Sequence, residues 1–418
     1  MSGVLPRLEP HREVLSNGLV LITNRNPDTP SVALRGLRGA GACRDPFGRE
    51  GLAALTARML RRGAGARTAT EIAAAVEDRG ASFYFSTGTE AGGFGAKCLG
   101  RDLGRVLELL QVQLEQPTFP ESDLEKVREE VLTGLAEDED SPRVRADRAL
   151  RRRLYPETHP YARPTSGSPE TVRTLSRAEC RAFHAEHTAP EGMLVCLSGD
   201  LDRDEARAAL ERWLIGRRAP SFVPPPLEPP VVPTLPDRIS LPHKSQAALL
   251  LGVPGIGFLD PDYFALSLLT LILGGLGLMG RLGERLREQE GVVYATGCQA
   301  VSRLWAGEWV ASAAVGPEHV ERARELILEE VARVRTERVE EQELADAQEY
   351  KIGSLPLRLE TNDGLASYLL NCEYYGLGLD YVERYPALVR AETRERLQEV
   401  AVRYLDPAGF HTAMAGPV

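Results

Sequence analysis

The chain has 418 residues, of which 43% are hydrophobic and 26% are charged, and its formal net charge is −10. This length exceeds what one hydrophobic core usually supports and indicates two domains or more. A nucleic-acid-binding protein needs a basic face, which this acidic balance does not favour. Arginine clusters such as residues 151–154 alternate with acidic residues on helical stretches, and we interpret them as solvated helix faces.

Three features predict a cytoplasmic protein without a membrane segment. The N-terminal residues carry no apolar stretch behind a basic start, so no signal peptide is expected. The longest apolar run, residues 263–280, is interrupted by glycines and is too short in its continuous part to span a bilayer. It predicts a buried helix followed by a Gly-rich loop. The six cysteines form no Cys-x-x-Cys pair, which is typical of buried thiols in a reducing compartment.

A proline-rich stretch predicts where the domains divide. Residues 217–236 contain eight prolines, and such a segment forms neither the interior of a helix nor a central strand. We expect a semi-rigid extended spacer. The sequence therefore predicts an N-terminal domain at 1–216, a linker at 217–236 and a C-terminal domain at 237–418.

Each half also contains the same succession of strand, Gly-rich turn, Asp-Pro and helix. Asp45-Pro46 in the first half and Asp260-Pro261 in the second stand at equivalent places, without gaps between the two stretches. Repetition of this kind favours an internal duplication.

The elements follow from hydrophobic periodicity. In chain order we predict strands at 18–26 and 31–39, helices at 48–62 and 69–79, a hairpin at 81–99, helices at 101–116, 121–138 and 143–153, a strand at 192–200 and a helix at 202–214. The second half adds strands near 246–253, 293–301 and 307–315, with helices between and after them. Mixed strands and helices with hairpins favour an α+β fold over a doubly wound parallel sheet. We predict two tandem, related α/β sandwich domains, each a mixed sheet packed with helices, that form half of a clam-shell.

The helix predicted at 48–62 has two faces of different character. Its apolar stripe, which we expect to be buried, consists of Leu52, Leu55 and Met59. Another face carries Ala54, Ala57 and Arg58 at i, i+3 and i+4. At this spacing, two histidines can bind one zinc ion and a glutamate beside the second can activate its water, as in the inverted motif H-x-x-E-H.

The segments LSNGLVLITNRN (15–26) and LRGAGACRDPFGREGLAALTARML (37–60) give this spacing a context. The chain resembles the pitrilysin and insulinase-type inverted zinc metallopeptidases, especially the short two-domain class that includes the mitochondrial processing peptidase. The resemblance places the family's first His, its Glu, its second His and its third ligand, a Glu on a later helix, at Ala54, Ala57, Arg58 and Gly134. Glu129 and Glu130 lie nearby, but one carboxylate without histidines does not hold a catalytic zinc. The resemblance therefore implies that this chain binds no metal and does not hydrolyse peptides by the family mechanism.

Residues 274–300 carry a second match to the family. The matching positions are Arg281, Leu282, Leu286, Arg287, Glu288 and Tyr294. In active relatives an Arg and a Tyr at this spacing hold the substrate backbone, and the Tyr stabilises the oxyanion. The resemblance therefore implies substrate binding by Arg287 and Tyr294, beside a Gly-rich loop that contains Gly274, Gly275 and Gly277. Without it, Arg287 reads as one half of a salt bridge with a neighbouring Glu, and Tyr294 as a half-buried strand aromatic.

The absent zinc half-site and the retained Arg/Tyr half-site lead to one preferred hypothesis. In two-subunit members of the family, one subunit carries zinc and its metal-free partner completes the chamber. The resemblance thus implies an inactive subunit of a heterodimeric zinc peptidase, with an H-x-x-E-H partner that carries the zinc, and with peptide substrates.

Two alternatives stay open. The chain is alternatively a stand-alone or homodimeric peptide-binding or scaffold protein that uses the same chamber. A third hypothesis is an active hydrolase with displaced ligands at His184 and His187, although a histidine pair at this position also suits the end of a helix, where it interacts with free carbonyls and the dipole. None of the hypotheses involves a nucleic acid or a membrane.

Overall fold

The protein is described by a computed structural model over residues 8–213 and 236–417. The linker predicted at 217–236 lies outside these residues except for Pro236. The described residues form two compact units. The first takes them from Met1–Leu135, Arg163–Pro224 and Leu355–Tyr381, and the second from Ala136–Ala162, Pro225–Ser354 and Val382–Val418. The sequence predicts two uninterrupted domains, at 1–216 and 237–418, whereas in the structure each unit contains one segment from the other half of the chain.

The first half of the chain contains eight strands and eight α-helices within its described residues. The strands are β1 (His11–Val14), β2 (Val20–Arg25), β3 (Ser31–Arg38), β4 (Gly63–Ala64), β5 (Arg67–Thr68), β6 (Ser82–Thr87), β7 (Gly92–Leu99) and β8 (Leu194–Gly199). The helices are α1 (Leu52–Met59), α2 (Ala69–Glu77), α3 (Leu103–Glu115), α4 (Glu121–Glu139), α5 (Pro142–Leu154), α6 (Pro169–Thr174), α7 (Arg177–His187) and α8 (Arg203–Leu210).

The described residues of the second half add five strands and seven α-helices. The strands are β9 (Asp237–Ser240), β10 (Ala247–Gly255), β11 (Val293–Ser302), β12 (Gly307–Val315) and β13 (His411–Gly416). The helices are α9 (Tyr263–Thr270), α10 (Arg281–Gly283), α11 (Val320–Thr336), α12 (Glu341–Arg358), α13 (Asn362–Tyr374), α14 (Tyr381–Arg390) and α15 (Arg394–Tyr404). Two π-helical stretches, Leu271–Gly275 and Glu284–Gln289, flank the Gly-rich segment that follows α9.

The first unit is built on a six-stranded sheet in the order β1-β2-β8-β3-β7-β6. Among the described strands of this sheet only β2 and β8 pair in parallel, so the sheet is mixed. Side chains alternate between the faces of a strand. On β3, Val32 and Leu34 therefore join the large core that includes α1 and α3, whereas Ala33 packs on the other face with Leu369 and Leu370 of α13.

The second unit repeats this arrangement on a five-stranded sheet in the order β11-β12-β10-β13-β9, in which β13 and β9 are the parallel pair among the described strands. On β10, Leu249 and Leu251 face the core that contains α9, α11 and α15, and Leu250 faces α5 through Leu150. Each unit is thus a mixed sheet with helices on both faces, and the predicted α+β fold of mixed sheets packed with helices is confirmed. In each unit, the helix on the second face comes from the segment that the other half of the chain supplies.

The cysteines and the apolar run of the described residues have the environments that the sequence predicts. All six cysteines lie in the described ranges and are buried, as the sequence predicts. None of the helices in the described ranges combines the length and the hydrophobicity that crossing a bilayer requires. The apolar run at 263–280 instead forms α9, a π-helical stretch and a short glycine-rich turn.

Candidate functional site

Helix α1 borders a cavity of 620 Å³ in the first unit. This volume lies within the range of small-molecule and peptide pockets, about 300–1,000 Å³. Besides alanines of α2, the wall consists of Ala54, Ala57 and Arg58 of α1, Arg61 and Arg62 just after it, Phe85, Ser86 and Thr87 of β6, Glu130 of α4, and Thr165 and Ser166. Ala54, Ala57 and Arg58, the α1 positions at which the family resemblance places the zinc-site residues, therefore line one cavity.

The start of α1 is fixed by a buried carboxylate and a glycine. Asp45 accepts hydrogen bonds from the backbone N–H groups of Gly51 and Ala53, both at 2.8 Å, which satisfies two donors at the helix N-terminus. Gly51 has a φ of 95°, and a Cβ there would lie 2.8 Å from the carbonyl oxygen of Ser166. Burial raises the pKa of Asp45 to about 7, against the effect of these two hydrogen bonds. The Asp-Pro turn noted in the sequence is thus the N-terminal anchor of α1.

The residues at the four zinc-equivalent positions do not fit a zinc ion. Protein ligands of zinc are thiolates, imidazole nitrogens and carboxylate oxygens. Ala54 and Ala57 offer methyl groups, Arg58 offers a cation, and Gly134 has no side chain, although a Cβ there would meet open space. Across the two described ranges, no three His, Cys, Asp or Glu residues form a group suited to a metal ion.

The cavity is instead lined by guanidinium groups. Arg62 forms an ion pair with Glu130, whose carboxylate oxygens lie 2.9 and 3.0 Å from Nη2 of Arg62. Glu130 is one helical turn before Gly134 on α4, so both positions lie on the same face of that helix. Arg58 and Arg61 line the cavity as well, and within the described part of the chain neither forms an ion pair. Sequence reasoning missed Arg61 and Arg62, although the run ARMLRR (57–62) offers a signal.

The two histidines of the displaced-ligand hypothesis are buried in the first unit. Nε2 of His184 lies 2.8 Å from the carbonyl oxygen of Leu114, and Nδ1 lies 3.1 Å from Oγ1 of Thr188. Both ring nitrogens are therefore engaged, one of them with a carbonyl in the last turn of α3. His187 packs edge-on against Phe183, and burial lowers its pKa. This geometry favours the interpretation as histidines near helix ends over a metal site.

Arg287 and Tyr294 come together at the edge of the second sheet. Arg287 donates a hydrogen bond to the backbone carbonyl of Tyr294. β11 is an edge strand, and its pairing with β12 is interrupted between Val293 and Ala295 by a β-bulge at Tyr294. A bulge re-aims a side chain, and Tyr294 is 56% exposed. Within the described ranges Arg287 has no carboxylate partner, so the predicted salt bridge is not what fixes it.

The Gly-rich loop packs against this strand. A Cβ on Gly274 would lie 3.4 Å from the Cα of Gly297 on β11, and a Cβ on Gly280 would lie 2.7 Å from the Cα of Gly274. Gly277 has a φ of 67°, which favours glycine. Gly275 lies between Gly274 and Gly277, directly at the end of the π-helical stretch. The glycines therefore permit close approach of the loop to β11, and their role in substrate binding stays a prediction.

The fold and the α1 site define a protein of paired α+β sandwiches with the framework of a zinc peptidase but no zinc ligands. Two family models match it in succession: "Insulinase (Peptidase family M16)" over residues 20–167 and "Peptidase M16 inactive domain" over residues 174–350. Both belong to one family and together they span most of the chain. The chain belongs to the M16 (insulinase) peptidase family, which confirms the resemblance.

Individual relatives extend this result over nearly the full length. An uncharacterized zinc protease of Mycobacterium bovis is 29% identical over 432 residues, which cover 98% of this chain and 94% of that protein. A non-peptidase homolog of Helicobacter pylori is 26% identical over 382 residues, with 89% and 85% covered. The crystal structure of a peptidase M16 inactive domain from Pseudomonas fluorescens matches with a TM-score of 0.90 and 27% identity over 98% of each chain. With no ligand at its zinc positions, this chain is a catalytically inactive member of the family.

Proposed function

We propose that this chain is a zinc-less subunit that completes the substrate chamber of a peptidase whose zinc is bound by a homologous H-x-x-E-H partner. The exposed phenol of Tyr294 is the observation that carries the proposal. It stands on a bulge whose carbonyl accepts a hydrogen bond from Arg287, while α1 offers no zinc ligand. The combination of an exposed phenol, a bulge and a guanidinium bonded to the bulge carbonyl is what supports the proposal.

The chemistry of the two side chains suits this role. The phenol is a neutral donor that can be aimed at the oxyanion of a tetrahedral intermediate. The guanidinium of Arg287 has five N–H donors, and its bond to the carbonyl of Tyr294 leaves others for a substrate carbonyl. In this proposal Arg287 both positions Tyr294 and contacts the peptide backbone, and Gly274, Gly275 and Gly277 belong to the loop that packs against the same strand, β11.

Mixing the purified chain with an H-x-x-E-H homologue from the same organism tests the proposal. We expect no peptide cleavage by this chain alone and a rate above that of the homologue alone in the mixture. Tyr294→Phe should lower the rate of the mixture about 10²-fold or more, since loss of one oxyanion donor typically costs 10²–10³. Tyr350→Phe, a tyrosine on α12 with 48% exposure, is the matched control and should leave the rate unchanged.

Two results would contradict the proposal that Arg287 and Tyr294 complete the active site of a partner subunit. One is an unchanged rate in mixtures that contain Tyr294→Phe or Arg287→Ala. The other is a chain that forms no complex with any H-x-x-E-H homologue in sedimentation velocity. The second result would leave the alternative function, peptide binding without a partner.

That alternative has its own support in the first unit. β6 is the last strand of its sheet within the described residues, and Phe85, Ser86 and Thr87 of this strand line the α1 cavity. An exposed edge next to a pocket suits the addition of a peptide as a further strand. A stand-alone or homodimeric peptide-binding protein therefore predicts that the purified chain binds labelled peptides in fluorescence anisotropy, with no increase in affinity when a homologue is added.

A further inference from the structure

The α1 cavity has a charge opposite to that of the protein as a whole. The formal net charge of the chain is −10, yet the described residues line the cavity with three guanidinium groups and a single carboxylate, that of Glu130. Arg62 pairs with this carboxylate, with contacts of 2.9 and 3.0 Å. Two cations, Arg58 and Arg61, then remain without a counter-charge among the residues that the structure describes.

The surroundings of these cations suit an oxyanion. The methyl groups of Ala54 and Ala57 leave the space open beside them, and the polar residues Ser86 and Thr165 also line the cavity. A guanidinium presents a planar fork of donors that matches a carboxylate or a phosphate. At physiological ionic strength the screening length is about 8 Å, so the local cations outweigh the negative charge elsewhere on the chain.

The position of β6 in the wall indicates where the oxyanion comes from. A peptide that pairs with the free edge of β6 directs every second side chain towards one face of the sheet. α1 packs against β6, and Oγ1 of Thr87 donates to the carbonyl of Ala53 at 3.1 Å. Side chains of an added strand on that face would reach the cavity beside α1.

We propose that the α1 cavity binds the carboxylate of an acidic peptide between Arg58 and Arg61, where the zinc of active relatives would stand. This inference rests on the peptide-binding part of the proposed function and names the class of peptide. The shared chemistry is oxyanion recognition by guanidinium groups, and inorganic phosphate is the other source of the same chemistry.

The test compares two labelled peptides of β-prone sequence that differ only in Glu or Gln at alternate positions. Fluorescence anisotropy gives their affinities for the full chain at low and at physiological salt. We expect the Glu peptide to bind at least about tenfold more tightly, since hydrogen bonds between two charged groups are stronger than those to a neutral amide. The preference should shrink with added salt.

Three variants sharpen the result. The double change Arg58→Gln with Arg61→Gln should abolish the preference for Glu. Among the described residues Glu130 supplies the one carboxylate of the cavity wall, and Glu130→Gln should increase the affinity for the Glu peptide about threefold. The matched control, Arg101→Gln with Arg181→Gln, alters two exposed arginines that do not line the cavity and should behave like the unchanged chain. Circular dichroism confirms that each variant is folded.

The possible outcomes separate the two proposals. Equal binding of both peptides, unaffected by the arginine variants, overturns this inference but leaves peptide binding in place. Binding of neither peptide overturns the peptide-binding function as well. If inorganic phosphate binds in calorimetry through Arg58 and Arg61 while the Glu peptide shows no preference, the cavity is an anion site and the assignment to acidic peptides is wrong.

Discussion

Helices α1 and α9 occupy equivalent places in the two units, each after a strand and an Asp-Pro turn. At the positions that correspond to Ala54, Ala57 and Arg58, the second half carries Leu269 at the end of α9 and Ile272 and Leu273 in the π-helical stretch that follows it. These three are 0%, 8% and 0% exposed and belong to the core of their unit. The same place in the first unit borders a cavity of 620 Å³.

This difference shows that the fold does not require the cavity. In the second unit large apolar side chains fill the equivalent space, as close packing favours. In the first unit two alanines and a cation keep it open, although no zinc ligand remains there. Packing alone therefore gives no reason for the open cavity, whereas the proposed binding of a peptide would give one.

The largest change that tests the difference between the α1 cavity and the filled space at α9 is to rebuild the zinc site. Ala54→His, Arg58→His and Gly134→Glu restore the three zinc ligands that the family resemblance implies, and Ala57→Glu restores the glutamate that activates the zinc-bound water. If the framework is intact, we expect the variant to bind about one zinc ion per chain, measured by mass spectrometry of the purified protein. The version without Gly134→Glu lacks one ligand and should bind zinc more weakly. A folded variant without zinc would show that the geometry of α1 and α4 no longer suits the metal.

The second prediction concerns the filled side of the comparison. Leu269→Ala should lower the free energy of unfolding by about 2–5 kcal/mol, because it leaves a hole in a close-packed core. Chemical denaturation measures this change. Leu357→Ala removes the same atoms from a side chain that is 73% exposed, and we expect a change within about 0.5 kcal/mol. Similar values for the two variants would contradict the assigned packing of Leu269.

The aspartates of the two Asp-Pro turns are expected to differ in how much they stabilise the protein. Asp45 is 5% exposed and accepts two backbone N–H groups at the start of α1. Asp260 is less buried and accepts one, that of Asp262, at 2.8 Å. Asp45→Ala should therefore cost about 2 kcal/mol of stability and Asp260→Ala about 1 kcal/mol or less. Denaturation of both variants in parallel tests this order, and a larger loss at Asp260 would reverse it.

The burial of Asp45 also predicts a dependence on pH. Its pKa rises from the ordinary 3.8 to about 7 in the fold, mainly because burial disfavours the charged form. A raised pKa means that the folded state binds the proton more tightly than the unfolded chain does. The stability that this contributes is present below pH 4 and is lost as the pH rises to about 7.

The matching experiment compares the unchanged chain with Asp45→Asn at pH 5 and pH 8. The unchanged chain should lose more unfolding free energy over this interval, because only it carries the titrating group. An equal loss in both proteins would assign the pH dependence to other residues, of which Glu50 and Arg163 are the charged neighbours.

Periodicity in the sequence predicts the local structure well and the exchange between halves poorly. The hairpin expected at 81–99 is β6 and β7, and the helix expected at 121–138 is α4. Periodicity does not show that α5 belongs to the second unit and α13 to the first. An apolar stripe indicates that a helix face is buried but not which sheet it packs against. Leu369 and Leu370 of α13 pack on the first unit through contacts with residues more than 150 positions away, such as Cys196.

The candidate site divides in the same way. Spacing and resemblance identify Ala54, Ala57 and Arg58, which the structure brings to one cavity wall. The bulge at Tyr294 has no sequence signal, because it depends on the register between β11 and β12. Arg61 follows the end of α1, and only the folded chain shows that it faces the same cavity as Arg58.

The smallest expected effect on stability comes from filling the cavity. Ala54→Leu gives α1 a side chain like those of its counterpart, and the added atoms enter open space. We expect the free energy of unfolding to change by less than about 1 kcal/mol. Ala53→Leu is the matched control. Ala53 directly precedes Ala54 on the same helix, but it is 1% exposed and faces the core. Overpacking there should cost about 1–3 kcal/mol.

The two variants should also differ in peptide binding, in the opposite order. Ala54→Leu narrows the space beside Arg58 and should weaken binding of the Glu peptide in anisotropy, although the protein is nearly as stable as before. If Ala54→Leu destabilises as strongly as Ala53→Leu, the space beside α1 is already occupied by packed side chains. The contrast with α9 would then disappear, and with it the argument that a ligand keeps the cavity open.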